Sequence, residues 1–129
     1  MENAKINSTN PQNSSVVPLG KNTLIINYQV PVSLSTRNIT IYQIVAGDNP
    51  EDYVVRIRQI TSGLLSEFCS IDPDSQNQLV TVKVLPSTFS IPNSEYHIYI
   101  GPNFVKYNET DEPINKLPHS NWILHTGIY

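Results

Sequence analysis

Apolar and polar residues alternate over short stretches along most of the chain, with ten prolines between them. Strict alternation is typical of strands in an antiparallel sheet that is buried on one face. Almost no segment has the spacing of an amphipathic helix. Six stretches alternate in this way: Thr23–Val30, Asn38–Ile44, Asp52–Ile60, Gln78–Leu85, Glu95–Gly101 and Asn121–Gly127.

The N-terminal segments complete the predicted architecture. Lys5–Thr9 and Ser15–Leu19 are predicted to form a split edge strand, because an edge strand tolerates Pro18. With turn residues between the strands, we expect an all-β fold, a β-sandwich of about seven to eight antiparallel strands. Its predicted core consists of inward apolar residues: Leu24, Ile26, Ile41, Val55, Val82, Ile98 and Trp122.

One segment, Thr61–Ser70, departs from the alternation. Its apolar residues Leu64, Leu65 and Phe68 predict a short helical turn near residues 61–69 that covers one end of the sandwich. Cys69 is expected to lie beneath this turn as a small buried residue.

Tyr96 stands at the start of a predicted strand, directly after the turn Pro92–Glu95. A polar-tipped aromatic at an inward position is explained by a tyrosine corner, in which the hydroxyl bonds a backbone group a few residues upstream. The alternative is an ordinary strand aromatic. We therefore predict structural roles for Tyr96 and for Trp122 in the core.

Composition restricts the class of protein. The length fits one domain over residues 1–129, with residues 1–5 expected to be flexible. Charged residues make up only 15% of the chain and the net charge is −3, which argues against a nucleic-acid partner. No apolar run approaches the roughly 18 residues of a transmembrane helix, so no direct membrane insertion is expected. The start has no signal-peptide pattern, so if the protein is secreted, the chain is expected to be a fragment of a longer secreted or surface protein.

Cysteine content and sequons bear on location. The single cysteine, Cys69, excludes an internal disulfide and a cysteine-based zinc site. Four N-x-[ST] sequons favour an extracellular or cell-surface protein, although an Asn-, Ser- and Thr-rich chain contains some by chance. The candidate glycosylation sites are Asn7, Asn13, Asn38 and Asn108.

Four motifs in order carry a resemblance to a known family. Tyr28–Val32 stands where the family has a phrase like F-S-E-P-V, and Pro92–Tyr96 stands at its P-G-T-x-Y corner. Val105–Asn108 with Glu112–Pro113 matches a V-K-D-x-x-G-N-P loop, and Trp122–Gly127 matches the closing W-x-F-T-T-G. The chain thus resembles, from about Ile6 to Gly127, the bacterial-type immunoglobulin-like domain of S-layer proteins and surface adhesins, the SbsA type.

The resemblance implies a module of an extracellular surface protein, often repeated in tandem, that acts as a spacer or adhesion unit. It implies no activity and no site residues. The segment Ala46–Gln78 is longer than the family's usual hairpin and contains Cys69, which the family pattern does not explain.

Histidines and acidic loops are the candidates for a metal site. His97 and His125 fall on outward positions of neighbouring strands, and His119 is the third histidine. Without a third ligand, surface histidines are the favoured interpretation. Asp72–Asn77 and Asn108–Glu112 are rich in oxygen ligands, yet they lack the glycine and terminal glutamate of a helix-loop-helix calcium site. Asp and Asn are also ordinary turn residues, so no metal and no cofactor is predicted.

Catalysis is not expected. The chain has no G-x-S-x-G motif, and Cys69 has apolar neighbours typical of an inert core residue rather than an activated thiolate. A carboxylate pair for glycoside hydrolysis stays open as an alternative, although no spacing among the eleven acidic residues favours one.

We therefore expect a non-catalytic immunoglobulin-like module that serves as a spacer or as a contact unit for other protein domains. The alternative is a carbohydrate-binding module that recognises cell-wall glycans through exposed tyrosines at outward or loop positions, namely Tyr42, Tyr99 and Tyr107. A third hypothesis is a homodimer that forms through an edge strand or through a disulfide between Cys69 residues.

Overall fold

The computed structural model describes residues 6–46, 53–101, 104–107 and 122–127. Residues 1–5, expected to be flexible, lie outside this part of the chain. The described part contains a 3-10 helix at Pro73–Ser75 and eleven strands: β1 Ile6–Asn10, β2 Val16–Val17, β3 Thr23–Tyr28, β4 Val32–Leu34, β5 Asn38–Ala46, β6 Tyr53–Ser62, β7 Cys69–Asp72, β8 Leu79–Lys83, β9 Glu95–Ile100, β10 Val105–Tyr107 and β11 Trp122–Thr126.

The strands form two packed sheets and one short ribbon. The four-stranded sheet has the order β1-β3-β8-β7, the five-stranded sheet has the order β2-β11-β9-β5-β6, and β10 pairs with β4. All pairs are antiparallel except β2 with β11. The predicted all-β sandwich is confirmed. Each alternating stretch is a strand, and β4, β7 and β10 are short additions that the pattern did not indicate.

The predicted split edge strand is present. β1 pairs with β3 in one sheet and β2 pairs with β11 in the other, so the chain crosses between the sheets near Pro11. Trp122 is buried and its indole N–H donates to the Pro11 carbonyl at 2.9 Å. This bond ties the crossing to β11.

The helical turn expected near residues 61–69 takes a different form. β6 pairs with β5 as far as Ser62, and tight turns follow in which Leu65 O accepts from the N–H groups of Phe68 and Cys69 at 2.8 Å each. The 3-10 helix of the described residues begins at Pro73, where Asp72 accepts from the Asp74 N–H at 3.0 Å as its N-cap. An N-cap carboxylate followed by proline favours the helix start at that point.

Tyr96 turns its hydroxyl back to Ile91, five residues upstream. The hydroxyl accepts from the Ile91 N–H at 3.2 Å and donates to the Ile91 carbonyl at 3.4 Å. The buried ring packs edge-on against Phe89, with ring centroids 4.8 Å apart. Thr126 of β11 holds the same turn, because its hydroxyl accepts from the Ser94 N–H at 3.0 Å and donates to the Ile91 carbonyl.

β6 contains a β-bulge. Ile41 of β5 pairs with Gln59, but the next residue, Tyr42, pairs with Ile57, so Arg58 is an extra residue in β6. Side chains alternate between the faces of a regular strand, and one inserted residue exchanges the faces beyond it.

The bulge overturns one core prediction. Gln59 faces the interior, so unbroken alternation would also place Val55 inside. With Arg58 inserted, Val55 lies on the outer side of the sheet and is 48% exposed. The prediction that Val55 belongs to the core was wrong, because a bulge leaves no trace in a pattern of apolar residues.

The buried amide of Gln59 holds β6 in this register. Its Nε2 donates to Thr61 Oγ1 at 2.8 Å and to the Lys83 carbonyl at 3.0 Å. Its Oε1 accepts from the Leu85 N–H at 3.0 Å and from the Thr88 hydroxyl at 2.7 Å. The bond to Thr61 stays within β6, and the other three join β6 to the end of β8 and to the segment after it, so this amide links the two sheets.

Replacing Tyr96 with phenylalanine is expected to lower the free energy of unfolding by about 1 kcal/mol, since the Ile91 N–H loses its acceptor. Tyr28→Phe is the matched control. The Tyr28 hydroxyl is buried without a hydrogen-bond partner among the described residues, and this burial raises the pKa of the phenol. Tyr28→Phe should leave stability unchanged or raise it in urea unfolding. Equal losses in the two variants would contradict the assignment of the corner.

Replacing Gln59 with leucine is expected to lower the free energy of unfolding by about 2 to 4 kcal/mol, because the buried Thr88 hydroxyl and the partly buried backbone groups of Lys83 and Leu85 lose their partner. Gln43 provides the control. It is equally buried, but among the described residues its side chain makes one hydrogen bond, of 3.4 Å to Ser94 Oγ, so Gln43→Leu should cost less than about 1 kcal/mol. Urea unfolding of both variants measures the difference, and a larger cost at Gln43 would refute it.

Candidate functional site

The outward side chains of the five-stranded sheet form one continuous surface, which we call the outer face. Cross-strand pairing arranges them in three rows, because residues directly opposite in neighbouring strands share a face. From β6 toward β2 the rows are Ile60–Thr40–Tyr99, Ile57–Tyr42–His97–Ile123 and Val55–Ile44–Glu95–His125–Val16.

The half of the outer face on β5 and β6 is apolar. We call it the apolar strip, and it consists of Tyr42, Ile44, Val55, Ile57 and Ile60. The three β6 residues are 48%, 58% and 52% exposed, while Tyr42 and Ile44 are half-buried. Single exposed apolar residues are ordinary on protein surfaces, but contiguous apolar patches mark binding surfaces. The strip is therefore the strongest candidate site in the described part of the chain.

The other half of the outer face is polar and centres on Glu95. One carboxylate oxygen lies 2.5 Å from His97 Nε2, and the other lies 3.9 Å from His125 Nε2. The two histidines predicted to face outward on neighbouring strands are therefore close together. No group of side chains suited to a metal ion occurs in the part of the chain that the structure describes. His119 lies outside that part.

The tyrosines predicted to contact a ligand are only partly brought together. Tyr42 lies opposite His97, and Tyr99 is two residues beyond His97 on the same face of β9. Tyr42 and Tyr99 are therefore diagonal neighbours on the outer face, within reach of a common ligand. Tyr107 belongs to β10, which pairs with β4 outside the five-stranded sheet, so its strand is not part of this face.

The oxygen-rich loop Asp72–Asn77 forms turns. Asp72 caps the 3-10 helix, and its carbonyl accepts from the Ser75 hydroxyl at 2.7 Å. Ser75 Oγ accepts in turn from the N–H groups of Gln78 and Leu79. These polar atoms bond to one another and to the backbone, as turn residues do. The second candidate loop, Asn108–Glu112, lies outside the described residues.

Cys69 is 3% exposed, and its thiol lies 3.5 Å from the Ser62 carbonyl. Burial raises the pKa of this thiol to about 11. A buried, protonated thiol is a poor nucleophile and a poor partner for an intermolecular disulfide. Of the two routes to a homodimer, the geometry thus disfavours the one through Cys69.

Three of the four sequon asparagines lie in the described part of the chain. Asn7, Asn13 and Asn38 are exposed, and Asn13 Oδ1 accepts from the Ile123 N–H at 2.8 Å. Asn108 lies outside the described residues, and glycosylation of all four stays a prediction. The described part of the chain contains no helix of the length and hydrophobicity that a bilayer crossing requires.

Comparisons with family models, curated proteins and solved structures gave no match to the chain. The chain's likeness to the SbsA-type domain accordingly rests on the sequence motifs alone. The candidate site rests on the exposure and pairing of the residues in the outer face.

Threonine substitutions separate the apolar strip from the core. Val55→Thr should change the free energy of unfolding by less than about 0.5 kcal/mol, because this side chain is already in contact with water. Val82→Thr makes the same chemical change at a fully buried position and should cost about 2 kcal/mol through burial of a hydroxyl. Chemical denaturation tests both variants. A large loss of unfolding free energy in Val55→Thr would contradict the assignment of Val55 to the apolar strip.

Proposed function

We propose that this chain is a non-catalytic, immunoglobulin-like module of an extracellular or cell-surface protein that binds a protein partner through its outer face. The observation that carries the proposal is the apolar strip, in which five neighbouring side chains form a water-accessible surface on β5 and β6. A spacer domain, which only separates the domains on either side of it, does not need such a surface. Exposed apolar area lowers the solubility of a protein.

The strand order supports the immunoglobulin-like part of the proposal. With β1, β3, β5, β7, β8, β9 and β11 labelled A to G in chain order, one sheet has the order A-B-E-D and the other contains G-F-C. This is the strand arrangement of immunoglobulin sandwiches. The tyrosine hydroxyl at the start of strand F, bonded to the backbone at Ile91, is a further property of such domains.

The extracellular location and the SbsA-type relationship rest on the sequence. The four sequons and the motif order between Ile6 and Gly127 support them, together with the low content of charged residues. In this proposal the parent protein presents the domain at a cell surface, where the apolar strip meets a second protein.

A glycan-binding function is the second candidate. Tyr42 and Tyr99 are diagonal neighbours on the outer face, and aromatic rings beside polar groups such as Glu95 and His97 suit the faces and hydroxyls of a sugar. The exposed aliphatic side chains of β6 favour a protein instead, since they offer a sugar no hydrogen bonds.

Photocross-linking tests the protein-contact function. A benzophenone amino acid at Ile57 places the probe in the apolar strip, and the same residue at Thr81 places it on the outward side of the four-stranded sheet. We expect cross-links to a surface protein from Ile57 and not from Thr81. The captured protein, once purified, should bind the unmodified domain and lose affinity for a Val55→Thr, Ile57→Thr, Ile60→Thr variant.

Binding to immobilised glycans provides the opposing test. Saturable binding of the domain to one polysaccharide, abolished by Tyr42→Ala and Tyr99→Ala but unchanged by the triple threonine variant, would replace the protein-contact function with the glycan-binding one. Equal cross-linking from Ile57 and Thr81 would also refute the proposal.

A further inference from the structure

The edge of the five-stranded sheet at β6 is unpaired in the described part of the chain. β6 is ten residues long, pairs with β5 on one side and ends the sheet on the other. In an antiparallel pair, about half of the backbone N–H and C=O groups of an edge strand point away from its neighbour. No described residue outside β5 forms a backbone hydrogen bond with residues 54–60, so this edge can accept another strand.

The first half of β6 is exposed on both faces. Val55 and Ile57 point to the outer side, Val54 and Arg56 point to the opposite side, and all four side chains are exposed. A strand added beside them would shield apolar area on both faces at once. Natural edge strands are commonly shortened, twisted away or covered, and a long apolar edge left free is a pairing site.

The charge of this edge is positive in a chain whose net charge is −3. Arg58 is held by the loop after β8, since its guanidinium donates to the carbonyls of Ser87 at 2.7 Å and Thr88 at 3.3 Å. Arg56 is exposed, and its guanidinium has no ion pair or hydrogen bond with a described residue. A carboxylate on a neighbouring strand would neutralise it, because opposite charges directly across a strand pair are stabilising.

We propose that β6 binds an extended segment of the partner protein as a sixth strand, and that this segment alternates between apolar and acidic residues. The inference rests on the proposed function and deepens it by naming the chemical class of the partner. Apolar side chains of the added strand lie beside Val55 and Ile57, and acidic side chains lie beside Arg56. The backbone ladder supplies affinity and the alternation supplies specificity, as in other cases of strand addition.

A second copy of this chain fits the edge less well. Antiparallel pairing of β6 with itself, centred on Arg56, places Arg56 opposite Arg56. Centred on Ile57, it places Arg56 opposite Arg58. Like charges directly opposite are destabilising in a sheet, so the arginines favour an acidic partner over self-association.

Synthetic strands test the inference with the full chain. The probe is a fluorescent nine-residue peptide of alternating valine and glutamate, and its control replaces every glutamate with lysine. Fluorescence anisotropy should show saturable binding of the glutamate peptide, with the lysine peptide at least about tenfold weaker. The difference should shrink between about 50 mM and 500 mM NaCl, because salt screens exposed charges.

Charge reversal locates the binding site. Arg56→Glu should weaken the glutamate peptide by about tenfold and strengthen the lysine peptide. Arg37→Glu is the matched control, since it changes net charge equally at an exposed position outside β6 and should leave both affinities nearly unchanged. The unfolding midpoints of both variants are compared with that of the parent chain. Equal midpoints establish that a loss of folding does not cause the change in peptide affinity. Equal losses in the two variants would overturn the assignment to β6.

N-methylation of the probe distinguishes strand addition from contact by side chains alone. Only alternate residues of an added strand donate their N–H groups to the edge. One probe is therefore methylated at its even positions and another at its odd positions, and only one of them should bind. Equal binding of the two methylated probes would overturn strand addition. So would an experiment in which neither methylated probe binds but the lysine peptide does.

The outcomes separate this inference from the function on which it rests. Cross-linking from Ile57 without binding of the glutamate peptide would refute the acidic strand and leave the protein-contact function standing. Absence of cross-linking specific to Ile57 would refute the protein-contact function itself. The chain could also sediment as a dimer whose stability Arg56→Glu alters and Arg37→Glu leaves unchanged. That result would identify a second copy as the occupant and overturn the proposal.

Discussion

The outer face depends on the four hydrogen bonds of the buried Gln59 amide. An unsatisfied buried amide is costly, so the three bonds that this side chain makes to the end of β8 and to the segment after it hold β6 in its register. With Gln59 held inside, the extra residue Arg58 forces the preceding part of β6 to exchange faces. The exposure of Val55 and Ile57 follows from this arrangement rather than from their own preference for the interior.

The segment between β8 and β9 joins this edge to the rest of the sandwich. Gln59 and Arg58 both bond to it at Thr88, and Phe89 packs against the ring of Tyr96. The Tyr96 hydroxyl then fixes the same segment at Ile91. This one segment therefore holds both β6 and β9, the two strands that flank β5 in the five-stranded sheet. A surface fixed in this way before binding loses little conformational entropy when a partner binds.

The outer face combines two kinds of surface. Its apolar half on β5 and β6 ends at a backbone edge that no other described strand pairs with, and its polar half centres on Glu95 between His97 and His125. Interfaces between proteins commonly have an apolar centre and a polar rim. Arg56 adds a positive charge at the edge of an acidic protein, and in our proposal that charge selects the partner segment.

The sequence by itself determined the all-β sandwich, the split edge strand and the inward and outward faces of most strands, because alternation with period two reports directly which side of a sheet is buried. It also located Tyr96, since a polar-tipped aromatic after a turn at an inward position requires a backbone partner. Only the tertiary structure decided the orientation of Val55. The bulge at Arg58 is stabilised by contacts of Gln59 with residues 24 to 29 positions away, and no local pattern contains such contacts. The sequence predicted Tyr42 as a contact residue, but the β6 part of the candidate site was missed for the same reason. An apolar residue in an alternating strand is assigned to the core until the strand's neighbours are known.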